Sequence, residues 1–205
     1  MLTRSGVSAS LVVLLTASSA FVVGCRRQQP TTEPAEPTAA PAVTPGPEEG
    51  PAVDWELTST AFANGERIPE HYTADGANVS PPLEWTAPPE GTAELALICD
   101  DPDAPRGTWN HWIVYGLSPE VTSLPEDVAS DATVTDPALR QGVTSFGETG
   151  YGGPAPPSGT HRYQFTLYAL SEATGLDAGA DKQQVLAAME GNIIAQTTLE
   201  GLYSR

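Results

Sequence analysis

Between Glu94 and Leu170 three extended apolar runs are joined by proline- and glycine-rich segments, and none of the joints holds a helix long enough for a βαβ crossover. Glu94 to Cys99 and His111 to Leu117 are apolar on both faces of an extended chain, and His161 to Leu170 is the third run. Strands with no polar face must sit centrally, with a layer packed on each side. The chain is therefore expected to be mostly β. Trp55 to Phe62 also has strand character, ended by Asn64-Gly65, and Ile193 to Tyr203 returns to a sheet. One short helix is expected where Asp181 caps Lys182 to Glu190 and Gly191 stops it.

Not all of the 205 residues read as folded. Residues 1–24 read as a secretory leader, with Arg4 before a mostly apolar run from Val7 to Val23. The leader ends in Val22-Val23-Gly24-Cys25, which resembles the bacterial lipobox and makes Cys25 the lipidation site. The alternative is a transmembrane anchor, but serines and threonine break the apolar run, and a span needs ~20 mostly apolar residues. Residues 25–52 are rich in Pro, Glu, Thr and Ala with almost nothing apolar to bury, the composition of a disordered tether. Residues 53–205 are enough for one domain. The expected location is the bacterial cell envelope, with the domain held outside the cytoplasm by the lipid alone.

A net charge of −17 with Lys182 as the only lysine argues against nucleic acid, whose phosphates demand basic patches. It equally disfavours docking on anionic lipid through a basic face. Apart from Cys25 the chain has one cysteine, Cys99, so no intrachain disulfide is expected. Cys99 ends an apolar run and is followed by Asp100 and Asp101. A reactive thiolate wants a cationic neighbour, so Cys99 is expected in the core.

Two stretches look built to meet around a small anion. The first is Asp100-Asp101-Pro102-Asp103-Ala104-Pro105, followed by Trp109 and His111 at the head of a strand. The second runs from Gly150-Tyr151-Gly152-Gly153 through three prolines to His161-Arg162-Tyr163. Five glycines between Gly147 and Gly159 leave backbone N–H groups unscreened. In an extended strand His161 and Tyr163 share a face, with Arg162 opposite and free for a structural salt bridge. By the same alternation Trp112 points away from His111. A carboxylate beside either histidine would set its tautomer and raise its pKa, favouring the cation that an anion wants. An Asp in a Pro-rich turn also serves as an Asx-type cap for backbone N–H groups, and from the residues alone both readings of this turn stand. Ala104-Pro105 is a candidate cis bond.

These segments, with Gly107-Thr108-Trp109-Asn110-His111-Trp112, Asn78 to Trp85 and the closing stretch from Met189 to Arg205, resemble the phosphatidylethanolamine-binding protein family, in its bacterial Raf-kinase-inhibitor-like branch. The resemblance runs from about Leu57 to the end. It implies an antiparallel β-sandwich with one or two short helices and an anion pocket at one end. The pocket residues it implies are Asp101, Asp103, Trp109, His111, Gly152, Gly153, His161 and Tyr163. His111, the glycine-loop N–H groups and Tyr163 would meet the anion, the aspartates would orient the histidines, and Trp109 would form an apolar wall.

The function expected is a non-catalytic binding module for a small phosphate- or carboxylate-bearing ligand, with no cofactor and no metal. One alternative is inhibition of an envelope protease or other hydrolase through protein contact. Another is a hydrolytic enzyme using the Asp and His groups. Against the latter, neither a Gly-x-Ser-x-Gly elbow nor a His-Glu-x-x-His spacing is present.

Overall fold

The computed structural model describes residues 55–205. The expected leader (residues 1–24), the expected tether (residues 25–52) and the expected lipidation site Cys25 lie outside the described residues. Ten strands, one α-helix and one 3-10 turn at Glu70–Tyr72 make up the described part.

The larger sheet holds seven strands in the order β2 (Glu66–Arg67), β10 (Ile193–Ser204), β9 (Thr160–Leu170), β4 (Glu94–Asp101), β5 (Trp109–Leu117), β8 (Ala138–Gln141) and β7 (Thr133–Thr135). The smaller has three, in the order β1 (Leu57–Thr58), β3 (Leu83–Trp85) and β6 (Ser123–Leu124). Pairing is antiparallel throughout except where the edge strand β2 runs parallel to β10. The expected antiparallel sandwich is present, with this one parallel edge.

The doubly apolar strands sit where their composition requires. One face of the large sheet, with Leu97, Trp112, Val114, Phe165 and Leu167, packs on Leu57, Leu83, Trp85 and Leu124 of the small sheet. The other face of β4 and β5, with Ala96, Ile113 and Tyr115, is covered by Val185 and Met189 of α1 (Lys182–Met189). Burying each such Leu-, Ile- or Phe-sized side chain contributes ~1.5–3 kcal/mol, which is what holds the layers together. Cys99 is buried in the first of these cores, and burial beside Asp100 and Asp101 pushes its thiol well above the ordinary range.

Helix α1 begins as its sequence predicts. The Asp181 side chain accepts from Gln184 N at 2.9 Å while Gln184 Oε1 accepts from Asp181 N at 2.9 Å, a capping box. Gly191 just beyond the end takes a positive φ of 80°. Lys182 Nζ reaches Asp100 Oδ2 at 2.7 Å and ties the helix to the end of β4.

Two local expectations are corrected. The strand expected over Trp55 to Phe62 is only Leu57–Thr58, because Ser59 Oγ donates to Pro82 O at 2.6 Å and accepts from Ala61 N at 3.1 Å, turning the chain out of the sheet. Among the described residues the cis peptide is Asp136–Pro137, in the β7–β8 turn, and not Ala104–Pro105.

Candidate functional site

The site lies where β4 ends, β5 begins and β9 begins, so three central strands each deliver residues to one end of the sandwich. On β9 the burial alternates as the sequence predicts: His161, Tyr163 and Phe165 are buried, while Arg162 is exposed.

β5 departs from alternation. Its register on β4 pairs Cys99 with Trp112 and Asp100 with Asn110, leaving His111 as an extra, unpaired residue. Such a bulge re-aims side chains. Trp112 lies in the inter-sheet core with its ring on Tyr151, and yet the His111 ring meets Tyr163 edge-on at 5.1 Å, on that same face. The expectation that Trp112 points away from His111 is therefore overturned by one inserted residue. Removed from the ladder, the His111 carbonyl accepts from Gly152 N at 2.9 Å, and His111 Nδ1 donates to the Gly152 carbonyl at 2.5 Å. The main chain of a single glycine thus closes the bulge and orients the ring.

Asp101 does both jobs that its turn allowed. Oδ1 accepts from Asp103 N at 2.9 Å, an Asx-type cap, and Oδ2 accepts from His161 Nδ1 at 2.7 Å. Both members of this pair are buried. Asp103, two residues on, faces elsewhere. It accepts from Arg162 Nε at 2.9 Å, Nη2 at 2.8 Å and backbone N at 3.0 Å. These bonds draw its carboxyl down to about 2. Asp103 orients no histidine; it locks the turn to β9 from outside the cavity.

The cavity between these groups has a volume of about 480 Å³. Ala104, Pro105 and Arg106 of the turn, Trp109 and His111 of β5, Phe146, residues 155–157, and Asp101, His161 and Tyr163 line it. The Tyr163 hydroxyl is buried and in no hydrogen bond of ordinary geometry. Burial, reinforced by the charge of Asp101 and by its carboxylate as a near acceptor, pushes the phenol far up, so it stays protonated and able to donate. His111 is shifted the other way from the expected cation. Burial outweighs the bond to Gly152 and the charges of Asp101 and Asp100, and holds its imidazole below the ordinary value.

Of the expected site residues, Asp101, Trp109, His111, His161 and Tyr163 share this cavity, while Asp103, Gly152 and Gly153 do not line it. Gly152 and Gly153 line a smaller hollow of about 180 Å³ on the far side of Phe146. Nor are their N–H groups open to a ligand: Gly152 N donates to His111 O, and Gly153 N to Asn78 Oδ1 at 2.7 Å. The glycines are needed for close approach. A Cβ on Gly152 would lie 2.4 Å from the Phe146 ring, and one on Gly153 would lie 2.7 Å from Tyr72 O.

Phe146 is the residue that sequence reasoning missed. Its ring meets Trp109 at 5.5 Å and His111 at 5.3 Å, both edge-on, and it remains 47% exposed. A single aromatic in the polar stretch Thr144 to Gly150 was the available signal. Arg106 is the one cation lining the cavity, exposed and without an ion pair among the described residues. No group of three or more His, Cys, Asp or Glu side chains among the described residues is arranged to hold a metal ion.

The family model for phosphatidylethanolamine-binding protein matches residues 58–204. A UPF0098 protein of Methanothermobacter thermautotrophicus is 48% identical over 149 residues, which is 73% of this chain and 98% of that protein. One from Aquifex aeolicus is 46% identical over 153 residues, 73% of this chain and 88% of its own. Among solved structures, a putative phosphatidylethanolamine-binding protein homologue of Chlamydia trachomatis superposes with a TM-score of 0.68 at 41% identity, over 74% of this chain and 97% of that one. E. coli YbcL, described as a new member of the mammalian family, gives 0.67 at 32% identity, over 75% and 99%. With the fold, the bulged strand and the two motifs meeting at one cavity, these matches place the chain in the phosphatidylethanolamine-binding protein family.

Proposed function

We propose that this protein is an envelope-tethered binding module that takes a small phosphate- or carboxylate-bearing ligand in the cavity between β4, β5 and β9. The observation that carries the reading is the Tyr163 hydroxyl, a buried donor at a cavity wall that makes no hydrogen bond of ordinary geometry, with the Asp101 carboxylate as its one neighbouring acceptor. Leaving such a group unpaired costs roughly 1–3 kcal/mol, which a ligand oxygen would offset. Arg106 adds positive charge at the same wall, and His111 and His161 each have Nε2 without a partner among the described residues. Trp109 and Phe146 supply apolar surface for the rest of the ligand. The leader before Cys25 and the tether of residues 25–52 supply the envelope half of the reading.

The test is a calorimetric titration of residues 53–205 with phosphate and with glycerophosphoethanolamine, on wild type and on His111→Ala, at two salt concentrations. A relative matched over 98% of its own length shows that a chain of this domain alone exists. Binding that disappears in the variant is expected, and unchanged affinity there would remove His111 from the site. Membrane fractionation of the full chain against Cys25→Ser tests the anchor: the variant should leave the membrane fraction.

A further inference from the structure

We propose that His111 takes up a proton as the cavity takes its anion, so that the ligand is bound together with a proton and not as a bare anion. This deepens the anion-binding reading above and rests on it. Nδ1 of His111 points at the Gly152 carbonyl, which can only accept, so Nδ1 carries a hydrogen. A neutral His111 then presents Nε2 as a lone pair, and a lone pair opposes an anion's oxygen. Protonated, the same atom becomes a donor.

The surroundings decide the resting state. The charged and titratable groups that act on His111 are Asp100 and Asp101 from β4 and His161 from β9. Tyr163 of β9 touches it as a protonated phenol, and Arg106 of the turn lines the same cavity. The glycine loop offers only the Gly152 main chain, and the segment around Phe146 offers an aromatic ring. Each nearby carboxylate is committed to another partner. Asp101 holds His161 and the Asp103 amide, and Asp100 holds Lys182 and the Asn110 amide. His111 is therefore a buried imidazole with no counter-charge of its own, and burial keeps it neutral. An anion at Nε2 is the counter-charge that the fold leaves out. His161 differs because Asp101 already supplies one.

Sulfate is the counting probe, because it stays a dianion between about pH 5.5 and 8, the range over which an imidazole titrates. Residues 53–205 are titrated with sulfate by calorimetry in pairs of buffers with different ionisation heats, across that range, with phosphate in parallel. The expected result is uptake of one proton per sulfate, with affinity weakening by about tenfold per pH unit above neutrality. His111→Gln, which places a neutral donor where Nε2 stood, should bind with no proton uptake and a flat pH profile. His111→Asn, which keeps a donor for the Gly152 carbonyl, should lose the uptake too. The proton count on wild type stands even if neither variant folds. Sulfate bound without proton uptake overturns the inference, as does phosphate bound while sulfate is refused at every pH, which would place the proton on the ligand. Binding of neither anion at any pH overturns the anion-binding reading itself.

Discussion

Asp101 and Asp103 fix the start of β9 through side-chain contacts, the first to His161 in the cavity wall and the second to Arg162 outside it, whereas His111 is held by the main chain of Gly152. The two constructions respond to different perturbations. The first is sensitive to removal of a charge or hydrogen bond, and within it burial ranks the contacts: Asp101 and His161 are buried, while Asp103 and Arg162 keep a substantial part of their surface in solvent. The second is sensitive to volume, because its backbone contacts require that no Cβ intervene. Similar-looking motif residues are thus doing different work, and substitution separates them.

The largest effect is expected from Asp101→Ala. It strands a buried imidazole and frees the Asp103 amide, costing about 3 kcal/mol in urea unfolding and abolishing phosphate binding. A loss no greater than that of Asp103→Ala would break the ranking by burial. Next is Gly153→Ala, whose Cβ would press on the backbone of Tyr72 and Thr73 and on the Asn78 side chain. Overpacking of this kind costs about 2 kcal/mol. Gly152→Ala should cost less in stability, since the atom it strikes belongs to the half-exposed Phe146 ring, which can swing away. Its effect should appear in binding, through displaced Phe146 and His111, and measuring both quantities on both variants sharpens the contrast.

A pH effect follows in size. His111 is depressed in the folded state, so the unfolded chain binds the proton more readily. The stability this contributes is present above the unfolded imidazole value of about 6.5 and is lost as pH falls through that value towards the folded one. Sulfate should restore part of it, and urea midpoints at successive pH values with and without sulfate read this directly. The smallest effect belongs to Asp103. Its depressed carboxyl contributes stability above the unfolded value of about 3.9, lost as pH falls towards about 2. Its exposure leaves it well screened. Asp103→Asn should move the midpoint at neutral pH less than any variant above, and raising the salt should shrink the difference further.

Much of this molecule is legible in its residues. Doubly apolar β4 and β5 forced a layered β-fold, because strands without a polar face must be covered twice. The capping box of α1, the alternation of His161 and Tyr163 on β9, and the outward turn of Arg162 onto a salt bridge all followed from local rules. Those features depend on near neighbours in the chain. The bulge at His111 does not, for it is a mismatch in register between two strands, and nothing in the alternation of Trp109 to Leu117 announces it. The partners of the glycine N–H groups, the choice by Asp101 of His161 over His111, and the placing of Phe146 between two hollows are likewise contacts between distant segments. Composition and spacing determined the layers and brought the right residues to one end of the sandwich. Only packing in three dimensions decided which polar atoms were consumed in holding the cavity and which were left facing it.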